Sequence, residues 1–231
     1  MCFRVSKQYI TEEKLDMSAV IRYTDVETNR EQEEYAMAVY MGEEEVIQKN
    51  MALAQEKVYT VEDIEALPEG VRAELIDGQM FYMATPSRKH QGLVGNLFGE
   101  IFAHLNQNKG KCAVYPAPFS VYLNEDNRTY LEPDITVVCD RDKLDDKGCH
   151  GAPDFVAEIL SPSSRSRDCL LKLIRYREAG VREYWIVDPE RETVTVYDFA
   201  ENKVGSYTFR DKVRVYLFPG LEIDFAGMDL N

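Results

Sequence analysis

Residues 154–189 read DFVAEILSPSSRSRDCLLKLIRYREAGVREYWIVDP, and this stretch decides the fold. Asp154–Leu160 is an apolar run of strand length, broken by one acid, Glu158. Ser161–Ser166, with its proline and serines, reads as a turn. A helix is expected from about Arg167 to Ala179, with Gly180 as its stop. Glu183–Val187 is a second apolar strand, closed by Asp188-Pro189.

The same alternation extends toward the N-terminus. Thr60 is a good cap for a short helix, Val61–Leu67, which Pro68 and Gly70 close. Ala73–Ile76 and Gln79–Met83 flank Asp77-Gly78, a pair suited to the positive φ angles of a tight hairpin turn. Ser87 can cap a long helix to about Asn108, ended by Gly110. Its apolar residues Leu93, Val94, Leu97, Phe98, Ile101, Phe102 and Leu105 follow helical spacing. Strands are expected at Cys112–Tyr115, Phe119–Leu123 and Asp134–Cys139, and short ones at Val194–Tyr197, Lys203–Phe209 and Val213–Tyr216. The reading is an α/β (α+β) domain, a mixed central sheet with helices against it. Residues 1–50 are polar and Glu-rich, with one expected helix around Arg30–Lys49. They read as an N-terminal extension ahead of a domain spanning 51–231.

Composition narrows the class. No run of eighteen apolar residues offers a membrane span, and the first residues lack the apolar core of a signal peptide, so a cytoplasmic protein is expected. Five cysteines, an odd number without a CxxC pair, predict reduced thiols rather than a disulfide framework or a zinc site. The net charge is −14. The first fifty residues hold 11 acids and 6 bases, which leaves 30 acids and 21 bases for the rest. That balance opposes binding to a phosphate backbone except where a local patch, such as Ser163–Arg167, or a bound cation intervenes.

Two acids stand out. Glu158 lies inside an apolar strand, and a buried, ionised glutamate needs a partner or a cation. Asp134 heads the strand Ile135–Val138 after Glu132-Pro133, and it shares a face with Thr136. Two carboxylates on neighbouring strands can hold a Mg²⁺ or Mn²⁺ ion, which takes one or two such ligands and fills its shell with water. The plain alternatives are a strand-start residue bonding a turn for Asp134, and a buried ion pair with an arginine for Glu158.

The pattern Pro133-Asp134 followed by an acid-x-x strand at Glu158 resembles the PD-(D/E)XK nuclease superfamily. More closely, the chain resembles the Uma-two family of restriction-type endonucleases. The matching pieces are Glu74–Gly78, His90 after Pro86-Ser87, Glu132–Asp134, Gly151–Asp154 leading into Glu158–Ser163, then Asp168, Lys172, Tyr176 and the run Gly180–Asp188. They cover about residues 57–200. The resemblance implies a restriction-endonuclease-like core and a metal-dependent endonuclease acting on DNA. It implies Asp134, Glu158 and the Ile159 backbone carbonyl as metal ligands, Glu74 as a further acid, His90 as a substrate contact, and a homodimer.

One departure matters. The position that holds lysine in the superfamily triplet is Leu160 here. The resemblance implies that Lys172, on the next helix in a stripe with Asp168 and Tyr176, supplies the amine. The alternative for Lys172 is a surface salt bridge to Asp168, and for Glu74 an exposed strand position. A second reading of the whole chain is a catalytically idle nuclease-like fold that binds or assembles. A third is an unrelated enzyme acting on a small phosphorylated substrate, which no phosphate-cradling glycine loop supports.

Overall fold

The structure, a computed structural model, describes residues 57–162, 164–165 and 167–228. The expected extension 1–50, its helix and the start at Met51 lie outside the described residues, as do the side chains of Arg167 and Asp168.

The chain opens with helix α1 (Val61–Glu65), whose Thr60 cap and Asp63 form the reciprocal capping box. Strands β1 (Ala73–Ile76) and β2 (Gln79–Tyr82) make the expected hairpin, with φ of 52° at Asp77 and 82° at Gly78. Ser87 caps helix α2 (Arg88–Gln107) by accepting the His90 N–H. The left-handed residue after α2 is Lys109 rather than Gly110. Gly110 instead closes the helix by donating its N–H to the Leu105 carbonyl.

Strands β3 (Ala113–Pro116), β4 (Val121–Tyr122), β5 (Tyr130–Leu131), β6 (Ile135–Val138), β7 (Cys149–His150) and β8 (Phe155–Ile159) follow. A π-helical segment, Arg167–Lys172, leads into helix α3 (Leu173–Ala179), which Gly180 ends at φ 95°. Strands β9 (Glu183–Asp188), β10 (Thr193–Asp198) and β11 (Lys203–Thr208) come next. The short hairpin β12 (Lys212–Arg214) and β13 (Glu222–Asp224) and a 3-10 turn at Phe225–Gly227 close the described chain.

The strands form a six-stranded mixed sheet, β11-β10-β9-β8-β6-β3, and a five-stranded sheet, β2-β1-β5-β4-β7. The pair β8–β9 is parallel, joined by α3 as crossover. The mixed α+β core with helices against it is the expected one. The second sheet is the addition: β5 and β7 have two residues each, too short to show a period.

Alternation on β8 sorts the two sides of the large sheet. Phe155, Ala157 and Ile159 pack with Leu93, Leu97 and Ile101 of α2. Val156 and Leu160 pack with Tyr176 of α3 and with Ile76, Val121 and Leu131 of the smaller sheet. Glu158 therefore points between α3 and the smaller sheet. The chain passes from β5 in one sheet to β6 in the other through Glu132-Pro133-Asp134. Proline suits that crossing, because a ladder partner is wanted on neither side.

The cysteine expectation is overturned. Cys112 and Cys139 form a disulfide. The pairing Ala113↔Val138 between β3 and β6, continued by one residue, brings them opposite each other. The odd count and the missing CxxC describe spacing along the chain, whereas this pair is set by strand register. Cys149 and Cys169 lie outside that disulfide, the first buried and the second half-buried.

Glu183, at the start of β9, anchors the C-terminal part. It accepts Trp185 Nε1 (2.7 Å) and the Tyr216 N–H (3.1 Å) on Oε1, and the Leu217 N–H (2.6 Å) on Oε2. Burial pushes its carboxyl above the usual range, against the lowering effect of those three donors. A raised folded value means that Glu183 favours folding at acidic pH and loses this contribution as pH rises through its folded pKa. In Glu183→Gln that pH dependence disappears, and one donor meets an amide NH₂ instead of an oxygen. We expect a loss of about 1–3 kcal/mol at pH 5, shrinking toward neutral pH, measured by urea unfolding across that range.

Candidate functional site

The acids singled out in the sequence converge where the two sheets meet. Continuing the antiparallel pairing Ile135↔Ala157 by one residue sets Asp134 opposite Glu158, with both side chains on the same face. The Ile159 N–H donates to Asp134 Oδ2 at 2.7 Å, which fixes that carboxylate at the end of the β6–β8 ladder. His90, in the first turn of α2, places Nε2 3.2 Å from the same oxygen.

Lys172 is not a surface residue. It is 2% exposed, and its Nζ lies 2.7 Å from Glu74 Oε1 and 2.9 Å from Glu158 Oε1. Glu74 is 0% exposed, so the reading of an exposed strand position is also overturned. The partner of Glu158 is a lysine rather than the arginine considered from sequence. Two residues to either side of Lys172, the pattern inverts: Leu170 is 52% exposed and Ile174 is 42% exposed. Lysine inward and leucine outward reverses normal helix amphipathicity. It is tolerable because two buried carboxylates satisfy the ammonium. The π-helical segment ends at Lys172, and such segments often mark functional sites.

Tyr176, four residues on, donates its hydroxyl to Glu158 Oε1 at 2.8 Å. Burial, and then the Glu158 charge, drive its phenol well above the ordinary tyrosine range, so it stays a donor. Glu74 Oε1 also accepts the Glu132 N–H at 3.1 Å. The stripe expected from sequence thus holds for Lys172 and Tyr176. Ser161 Oγ accepts the Ser164 N–H at 3.2 Å, so this serine caps the turn after β8.

Arg72 and Tyr130 are not singled out by the sequence. Arg72, just before β1, donates from Nε to Glu132 Oε2 at 2.7 Å, and from Nη2 to the same oxygen. Glu132 also accepts the Tyr130 hydroxyl at 2.8 Å. Arg72 offered no signal, because it sits sixty residues from its partner in a polar loop.

Arg72, Glu74, His90, Asp134, Glu158 and Lys172 all line one cleft of about 640 Å³. Among the described residues, six carboxylates and three lysine or arginine side chains surround it. Next in sequence to the cleft-lining Pro189, Asp188 accepts both Nη groups of Arg165. Burial would raise the Asp188 carboxyl, but Arg165 and the Glu190 and Arg191 N–H groups outweigh that and hold it below the usual range. Among the described residues no three His, Cys, Asp or Glu side chains form a metal-ligating group. No helix among them is long and apolar enough to cross a membrane.

No curated protein matches the chain. A solved structure described as "a putative nuclease belonging to DUF820", from Anabaena variabilis, superposes with a TM-score of 0.60 at 20% identity. The match covers 72% of this chain and 95% of that one, and at this identity it speaks for the fold. The family model for Uma2, described as "Putative restriction endonuclease", matches residues 61–226, which span β1 and its Glu74, the Glu132–Asp134 crossing, β8 and the helix with Lys172. With nearly the whole described fold inside that match, the chain belongs to the Uma2 family.

Proposed function

We propose that this protein is an endonuclease that hydrolyses DNA phosphodiester bonds with a divalent cation, Mg²⁺ or Mn²⁺, held by Asp134 and Glu158. The observation that carries the proposal is the placement of these two acids side by side on adjacent strands, with the Lys172 ammonium 2.9 Å from Glu158. Family membership and the nuclease neighbour agree with it.

The residues suit such an ion. Asp134, Glu158 and the Ile159 carbonyl offer oxygen only, the donor set of a hard cation. Two carboxylates, rather than three or more, match a site completed by carbonyl and water oxygens. The cleft carries more carboxylates than cationic side chains, so a dication would offset charge that otherwise repels a phosphate. When bound, the cation supplies Lewis-acid polarisation of the phosphate and a more acidic water.

The protein's own groups do the rest. Lys172 Nζ, fixed by Glu74, orients a water beside Glu158 and offsets charge that develops on the phosphate. Tyr176 keeps Glu158 Oε1 in place. His90 holds Asp134 from the α2 side and meets the substrate at the cleft wall. Lys172 thereby takes the position-160 role that leucine cannot fill.

The test is a plasmid and linear-duplex cleavage assay. The protein should nick or cut DNA with Mg²⁺ or Mn²⁺ and do nothing in excess chelator. Failure to cut any DNA with either metal would favour the catalytically idle, binding or assembly role.

A further inference from the structure

We infer that Arg72 is the residue that grips a substrate phosphate in the cleft, oriented for that task by Glu132. This rests on the nuclease reading above and adds a phosphate-binding residue to it.

A phosphodiester entering this cleft meets mostly carboxylates. It needs a cation on the wall, and among the described residues only three side chains there are lysine or arginine. Lys172 is buried between Glu74 and Glu158. Lys89 gives its Nζ to the Pro189 carbonyl at 2.8 Å. Arg72 is held differently. Its side chain is 36% exposed, and both of its hydrogen bonds go to one oxygen, Glu132 Oε2, through Nε and Nη2. The other edge of the guanidinium, Nη1, has no hydrogen-bond partner among the described residues. A planar fork with one edge pinned and one edge free is suited to a phosphate oxygen.

The pin is built in depth. Glu132 is 7% exposed, and its Oε1 accepts the Tyr130 hydroxyl at 2.8 Å. That hydroxyl lies 2.9 Å from Ser120 Oγ. Burial pushes the Tyr130 phenol far up, so it remains a donor to Glu132. The Glu132 N–H in turn meets Glu74 Oε1, which shares Lys172 with Glu158. Arg72 and Glu74 lie two apart on one segment, and Glu132 and Asp134 lie two apart on the other. One backbone arrangement therefore sets the arginine and the proposed metal carboxylates together. A purely structural ion pair needs no free edge and no place on the cleft wall.

The experiment measures DNA cleavage in Mg²⁺ over a series of salt concentrations, as kcat/KM, for the wild type, Arg72→Gln, Arg72→Lys and the double variant Arg72→Gln/Glu132→Gln. The double variant removes both charges, so Glu132 is not left buried alone, and thermal melts confirm folding. The expected result is a loss of at least about tenfold in kcat/KM for Arg72→Gln and for the double variant, with a log–log salt slope shallower by about 1. Arg72→Lys should keep the slope and lose part of the rate, because lysine retains the charge without the fork. A wild type that cuts, with an unchanged slope and rate in the folded double variant, overturns the role of Arg72 and leaves the nuclease reading standing. A wild type that cuts no DNA overturns both.

Discussion

Lys172→Met should unfold about 3–5 kcal/mol more easily than the wild type, the largest stability loss expected from a single change in this protein. Methionine matches the aliphatic stem but removes the ammonium. Glu74, 0% exposed, and Glu158, 3% exposed, then lose the ammonium they share. Desolvating a carboxylate is tolerable only with compensation, and Tyr176 offers a single neutral hydrogen bond. The second change Glu74→Gln should restore part of the loss, because one charge disappears while the Glu132 N–H keeps an acceptor. Urea unfolding of the three proteins reads this directly. Equal stability of Lys172→Met and the wild type would mean that the Lys172 ammonium does not stabilise the two buried carboxylates. The same variant should not cut DNA, but the stability readout is independent of any activity.

Asp134→Asn should lower cleavage about a thousandfold or more while changing stability by about 1 kcal/mol or less. The amide oxygen can still accept the Ile159 N–H, so the β6–β8 ladder end survives. What disappears is the negative charge beside Glu158. A cation's contribution to phosphate transfer is worth several kcal/mol, which is the thousandfold. Steady-state cleavage rates and a thermal melt of the same preparation separate the two effects. Cleavage within about tenfold of the wild type would remove Asp134 from the site.

The elements that position these residues were legible for simple reasons. The β8 strand is a five-residue run, apolar except for Glu158, and Asp77-Gly78 and Ser87 are turn and cap residues with one plain reading each. Glu158 and Asp134 were visible because an acid in an apolar strand has to be explained. Glu74 and Lys172 were legible only through family resemblance, since their contact spans ninety-eight residues and no local pattern encodes it. The helix itself misleads: Leu170 and Ile174 invite burial, while the lysine between them is the inward residue. The Arg72–Glu132–Tyr130 network stayed hidden because β5 has two residues and its partners arrive from distant segments. The Cys112–Cys139 bond was misjudged because strand register, not cysteine spacing, brings the thiols together.

The proposed chemistry turns on a divalent cation at Asp134 and Glu158. The direct measurement is calorimetric titration of Mg²⁺, then Mn²⁺, into the wild type and into Asp134→Asn/Glu158→Gln. Those substitutions keep an acceptor for the Ile159 N–H and for Lys172 and Tyr176, so the fold persists. The expected result is binding by the wild type and its loss in the double variant. Identical titrations of the two proteins would contradict it and leave these carboxylates with a structural role alone.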